Sequence, residues 1–219
     1  MTSSSERFAF TAHPWHGVPA RGRREGSFQA FIELVPTDTV KYEIDKVTGH
    51  LRVDRPQLFS SLCPTLYGFI PRTFCGPHVA SRCSERTGIA GIEGDGDPMD
   101  VSVLTERAVA HGNVLVSARP IGGFRMIDGN QADDKIIAVL DSDLAYGNIE
   151  DVSGCPAGLL ERLRHYFLSY KQAPDAASRQ VRIAETYDRH EALEVIRLSE
   201  RDYRERFHDE EAAELAGPG

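Results

Sequence analysis

Apolar Phe28, Ala30, Ile32 and Leu34 alternate with Ser27, Gln29, Phe31 and Glu33. This period of two predicts a strand over residues 27–34, with Glu33 on its more polar face. The alternation returns over residues 40–45, where Val40, Tyr42 and Ile44 oppose Lys41, Glu43 and Asp45. Thr48-Gly49 predicts a turn, and residues 51–53 a returning strand that ends at Asp54-Arg55-Pro56, so the segment reads as a hairpin with one charged face. Apolar runs over residues 101–104, 113–119, 124–127 and 136–140 predict further strands, with Pro120-Ile121-Gly122-Gly123 bending the chain between two of them. Helical period appears twice. Leu159, Leu160, Leu163, Tyr166, Phe167 and Tyr170 form one stripe over residues 158–171, and Ala192, Val195, Ile196 and Tyr203 face inward over residues 189–207.

The other segments read as connections. Residues 1–26 are polar and broken by Pro14, Gly17, Pro19 and Gly22, which predicts an extended arm anchored to the domain by Trp15. Residues 72–93 are rich in Gly, Ser and Arg and predict an irregular insertion beside the candidate site, at a rim or a subunit contact. Residues 209–219 predict a charged, frayed tail. No internal repeat appears. The expected division is an N-terminal arm (1–26), one domain (27–208) with an insertion loop at 71–93, and a C-terminal tail.

Composition narrows the classes of function. The 219 residues suffice for one domain with a full core, and 41% hydrophobic with 26% charged residues is ordinary for a globular protein. A formal net charge of -8 argues against nucleic acid as partner. No window reads as a membrane span, and the first residues lack the apolar run of a signal peptide. Arg7, Arg21, Arg23 and Arg24 weakly resemble a transit peptide, so an organelle address stays open beside a cytoplasmic location. Four cysteines do not suggest a disulfide scaffold. Cys63, Cys75, His78 and Cys83 lack a Cys-x-x-Cys knuckle, which favours buried free thiols over a zinc site.

The densest chemistry lies in Gly94-Asp95-Gly96-Asp97-Pro98-Met99-Asp100-Val101. Glycines let the backbone turn and Pro98 fixes φ, so a rigid bend tied to a following strand aims Asp95, Asp97 and Asp100 at one point. Carboxylates held that close raise one another's pKa unless a cation intervenes, and their oxygens suit magnesium, manganese or calcium. A calcium EF-hand is excluded: Met99 stands at its fifth ligand position, Asp100 replaces its glycine and Pro98 stiffens the loop.

The stretch Asp95-Gly96-Asp97-Pro98-Met99-Asp100-Val101 resembles the signature of the soluble (family I) inorganic pyrophosphatases. Further blocks are similar to that family in order and spacing: Ile32-Glu33-Leu34, Lys41-Tyr42-Glu43, Val53-Asp54-Arg55, the segment around Tyr67-Gly68-Phe69-Ile70, an acidic loop with Asp128, Asp133 and Lys135, and Tyr170-Lys171. The resemblance spans residues 27–171. It implies a mainly β (α+β) fold, a five-stranded OB-like β-barrel flanked by helices. It implies hydrolysis of pyrophosphate to two orthophosphates by in-line attack of a metal-bridged hydroxide, with several magnesium ions per subunit and manganese as an alternative.

By that resemblance Asp95, Asp100, Asp128, Asp133 and Glu33 hold metals, and Asp97 takes the proton of the nucleophile. Lys41, Arg55, Tyr67, Lys135, Tyr170 and Lys171 bind phosphate oxygens or the leaving phosphate, Glu43 stands beside them, and Asp134 lies behind the ligands. Cys63 stands where many relatives carry a further Tyr. The family also implies a homo-oligomer. The rival reading, an OB-like binder of nucleic acid or oligosaccharide, wants a basic aromatic face, whereas this chain gathers acids.

Overall fold

The strand-forming segments pair into a ring that positions everything else. The computed structural model describes residues 11–171 and 181–216. The elements are β1 (Phe28–Leu34), β2 (Val40–Ile44), β3 (Leu51–Pro56), β4 (Leu66–Phe69), α1 (Pro77–Thr87), β5 (Glu93–Gly94), β6 (Asp100–Leu104), β7 (Val114–Asp128), β8 (Gln131–Ala132), β9 (Lys135–Leu140), α2 (Ala157–Ser169), β10 (Val181–Asp188) and α3 (Arg189–Ala216). Strands pair in the order β1-β4-β6-β9-β7, and β7 returns to β1, which closes a five-stranded ring and leaves it without a free edge. The β6–β9 pair is parallel and the other four are antiparallel. The hairpin β2–β3 stands off this sheet as a separate pair.

One strand serves several partners because it bends. The fifteen residues of β7 meet β1 and β9 with their first part and β10 with their last, and the register with β9 shifts between Pro120 and Gly122. Pro120 has no N–H to give to a ladder, so the predicted bend is realised as a bulge within a continuous strand. The added strand β10 was not anticipated by the periodicity. The alternation of Val181, Ile183 and Tyr187 with Arg182, Ala184 and Thr186 is the signal that could have found it.

Adjacent residues of β9 enter different cores, as expected of a strand buried on both faces. Ile136 and Ala138 pack in a cluster with Val79 of α1 and Val195 of α3, while Ile137 and Val139 pack with Leu163 and Phe167 of α2. All four cysteines are buried free thiols.

Three expectations need correction. Strand β1 is not half-polar: Phe31 is 4% exposed and Glu33 7%, because Phe31 joins a third cluster with Trp15, Ile44, Phe69 and Tyr203. The described part of the arm is not simply extended. It turns at His13–Gly17, where the Gly17 amide donates to the His13 carbonyl at 2.7 Å, and Trp15 anchors it by donating Nε1–H to the Thr73 carbonyl at 2.8 Å. The third concerns the two segments read as irregular. Residues 77–87 form α1, with Pro77 in the first turn, Gly88 in the left-handed conformation at its end, and Val79, Ala80 and Cys83 buried. Helix α3 runs on to Ala216, through residues rich in Glu and Ala that favour helix, so only residues 217–219 of the predicted tail lie outside the described residues. Residues 1–10 of the arm also lie outside them.

Gly76 offers α1 no side-chain cap. Asp202 of α3 takes that role across the fold, accepting from the amides of Gly76 (3.1 Å), His78 (3.0 Å) and Val79 (3.1 Å). Its negative charge also suits the positive end of the helix dipole. Asp202→Ala is expected to destabilise the protein by about 2–3 kcal/mol in urea-monitored unfolding, because buried amides lose their acceptor. A loss below about 0.5 kcal/mol would show that solvent replaces this cap.

Candidate active site

Each acidic or basic candidate is set in place by a strand end or a hydrogen-bonded turn. The signature bend is pinned from behind: Cys75 donates its amide to the Asp97 carbonyl at 2.8 Å and accepts from the Gly96 amide at 3.1 Å. Gly94 must lack a side chain there, since a Cβ would stand 2.1 Å from the Cys75 carbonyl oxygen. Gly96 turns with φ +76°, and the Asp97 amide donates to Asp95 Oδ1 at 2.9 Å. Met99 is fully buried and its amide is held by Thr73 Oγ1 at 2.8 Å, so β6 starts at a fixed point with Asp100 as its first residue.

Pairing then brings the other groups to that point. In the parallel β6–β9 register Asp100 stands beside Lys135, and in the hairpin Lys41 stands opposite Arg55. Lys135 is buried between Asp100 and Asp133 and ion-pairs with both. Tyr67 of β4 is a hydrogen-bonding partner of Asp100. Tyr170 and Lys171 follow the end of α2, where Lys171 meets Asp128 at 2.6 Å. Glu33 points away from solvent and accepts the Ile44 amide at 2.7 Å, tying the hairpin to the barrel.

These groups line one cavity of about 410 Å³ bounded by eight carboxylates and five basic side chains. Of the predicted residues it collects Glu33, Lys41, Glu43, Arg55, Tyr67, Asp95, Asp97, Asp100, Asp128, Asp133, Lys135, Tyr170 and Lys171. Asp134 is not among them; just before β9, it is buried on the side away from the cavity against Arg125. Cys63 is buried beside Tyr166 in the α2 core and does not reach the cavity. Three further polar residues line it: Lys46, Asp54 and Gln131. Lys46, from the hairpin tip, ion-pairs with Asp97, and Asp54 meets Lys41 at 3.3 Å and Arg55 at 2.5 Å. Asp54 was visible within its block beside Arg55, whereas no local signal marks Lys46, which only tertiary packing brings to Asp97.

Burial and crowding dominate the electrostatics. Burial, with Asp100 adding to it, pushes Glu33 up to about 8 even though the Ile44 amide stabilises its charge. Burial and then Asp133 push Asp95 up. Asp100 is raised by burial against the pull of Lys135. For Lys135 burial opposes the charge, but Asp100 and Asp133 outweigh it and hold the lysine well above its usual value. Tyr67 is raised by burial and by Asp100, so it is a hydrogen-bond donor at neutral pH. Carboxylates this crowded, offering only oxygen donors, fit hard divalent cations, which would relieve the burden now met by protons and Lys135. Another grouping among the described residues, His78 with Asp202 and Glu205, fits such an ion poorly: Asp202 is occupied by amides at a helix N-terminus, which disfavours cations.

Comparison with known proteins gives consistent matches. A family model described as inorganic pyrophosphatase matches residues 30–204. The inorganic pyrophosphatase of Chlamydia trachomatis serovar L2 is 49% identical over 196 residues, covering 88% of this chain and 94% of that protein. The soluble inorganic pyrophosphatase of Oryza sativa subsp. indica is 36% identical over 199 residues, covering 91% and 83%. The crystal structure of inorganic pyrophosphatase from Thermus thermophilus superposes with a TM-score of 0.72 at 27% identity, covering 89% of this chain and 99% of that one. That of Ehrlichia chaffeensis gives 0.63 at 31% identity, covering 83% and 98%.

The raised carboxyls make a calorimetric prediction. A carboxyl whose folded pKa is raised to about 8, as for Glu33, is largely protonated at pH 7 and must ionise to hold a cation. Uptake of a divalent cation by the cavity at pH 7 is therefore expected to release protons, seen as an enthalpy that varies with the ionisation enthalpy of the buffer. The release should fade as pH rises above 8. A buffer-independent enthalpy at pH 7 would show these groups already ionised.

Proposed function

The chain belongs to the inorganic pyrophosphatase family, an enzyme family that hydrolyses pyrophosphate with divalent metal ions, and from that premise we propose the following roles for its cavity. The observation that carries the proposal is the meeting of eight carboxylates and five basic groups on one wall-lined space. Pyrophosphate is a polyanion, so the acids alone would repel it. Asp95, Asp100, Asp128, Asp133 and Glu33 would hold divalent ions, magnesium first and manganese as a substitute. When bound, such ions neutralise phosphate charge and lower the pKa of a water molecule toward neutrality.

Asp97 ends the pinned turn with about half its side chain open to the cavity, where it accepts the proton of the attacking water. The water oxygen bonds to one phosphorus in line with the bridging oxygen, the P–O bridge breaks, and the electron pair leaves on the second phosphate. Lys41, Arg55, Tyr170 and Lys171 stabilise that leaving charge, Arg55 with two N–H groups and the lysines as point charges. Tyr170 also braces Arg55, whose guanidinium carbon lies 6.0 Å from its ring centre. Lys135 and Tyr67 hold Asp100 in place, and Glu43 and Asp54 fix Lys41.

The same reading covers the rest of the molecule. We take residues 27–208 as one catalytic domain that works as a homo-oligomer in the cytoplasm, with pyrophosphate as partner and neither nucleic acid nor membrane. Among the described residues no helix is long and apolar enough to cross a membrane. A nucleic-acid or oligosaccharide binder is disfavoured by the acid-rich cavity.

Release of orthophosphate from pyrophosphate, measured with and without magnesium, tests the activity. Asp97→Asn should keep magnesium binding and lose about 10²- to 10⁴-fold in turnover, the usual weight of a general base. Parental turnover in that variant would remove Asp97 from the proton-accepting role.

A further inference from the structure

A second charged cluster lies behind the cavity, on the far side of the link from β8 to β9. Asp133 and Lys135 face the cavity, while Asp134 between them, in the link that leads into β9, faces Arg125. Its carboxylate lies 3.3 Å from Nη1 of Arg125, and both side chains are 0% exposed. The same guanidinium donates through Nε to Glu185 at 3.0 Å and through Nη2 to Glu191. Helix α1 closes the cluster. Arg82 grips Glu191 through Nε at 3.0 Å and Nη2 at 2.6 Å, and Arg86 pairs with Glu185. Tyr187 covers the guanidinium at 5.1 Å, and its ring has room because residue 123 is Gly.

So much buried charge is an inefficient way to stabilise a core, since apolar groups of the same volume often do as well. What an ionic cluster provides is direction. The planar guanidinium has a fixed fork, and two of its three nitrogens are already taken by Glu185 and Glu191, so Asp134 has one place to sit. Asp133 and Lys135 are its covalent neighbours. Main-chain pairing adds to the hold: the Asp133 amide donates to the Met126 carbonyl, next to Arg125, at 2.9 Å. A shift of Asp134 by a fraction of an ångström would move the Asp133 carboxylate and the Lys135 ammonium together.

We propose that Arg125 and Asp134 are positioning residues that aim Asp133 into the cavity and so set the affinity for a divalent cation, without touching the ion or the substrate. This rests on the metal-holding reading of Asp133 given above. Helix α1 takes part through Arg82 and Arg86, which gives that segment a function at a distance from the cavity. Groups that orient a ligand from behind commonly change metal affinity by about 10- to 100-fold when removed.

The test titrates manganese alone into the full-length parent, Asp134→Asn and the double variant Arg125→Met/Asp134→Asn by calorimetry, with urea unfolding in parallel. The double variant removes both charges and leaves neither buried and unpaired, so it carries the test if the single variant fails to fold. Expected is a Kd for the tightest manganese site raised about tenfold or more in each folded variant. The magnesium concentration for half-maximal turnover should rise with it, while kcat at saturating magnesium stays near parental. A purely structural role would lower the unfolding midpoint and leave the Kd unchanged, and that result overturns the proposal. A parent that takes up no manganese would instead remove the metal-holding reading itself, and this inference with it.

Discussion

Lys135 is an ammonium held between the carboxylates of Asp100 and Asp133 in a place that water hardly reaches. Two like charges about 4 Å apart repel by about 4 kcal/mol at an effective dielectric of 20, so acids cannot be gathered here without cations among them. The parallel β6–β9 register makes Asp100 and Lys135 neighbours. From that pair outward, compensation spreads: Lys171 meets Asp128, and Lys41 meets Glu43 and Asp54. Divalent ions extend the same logic, since the carboxylates outnumber the basic groups lining the cavity.

Holding the charges is work for neutral backbone. The turn that carries Asp95 and Asp97 leans on the main chain of Cys75, and Cys75 leads directly into α1. That helix starts where it does because Asp202, more than a hundred residues away, accepts its first amides. An acid on α3 thereby steadies a turn in the cavity wall through hydrogen bonds alone. The hairpin is tied in the same manner, by Glu33 accepting the Ile44 amide.

The sheet is thus charged on both sides at one point. Across residues 133–135 one face meets the cavity and the other meets Arg125. A packed core resists small displacements, so a rigid ionic cluster behind a strand is a means of fixing what stands before it. The stretch of chain that looks irregular by composition, residues 72–93, furnishes both Arg82 for that cluster and Cys75 for the turn.

The parts legible in the sequence were those with local causes. Alternation over residues 27–34 and 40–45, the helical stripes of α2 and α3, and the rigid bend around Pro98 each follow from neighbouring residues, and the ordered family blocks contain all the polar cavity residues but Lys46 and Gln131. Three kinds of feature were not legible. Helix α1 lies in a segment whose glycines and serines hide a short apolar stripe, and its N-terminal cap comes from α3. Lys46 reaches Asp97 only because the hairpin folds over the bend. Asp134 reads from the sequence as lying behind the metal-holding acids, but no local signal names Arg125 as the partner it finds there. The sequence by itself determined which chemical groups were present and which local shapes they favoured; the tertiary structure alone decided which of them face one another, because burial and pairing act between residues far apart in the chain.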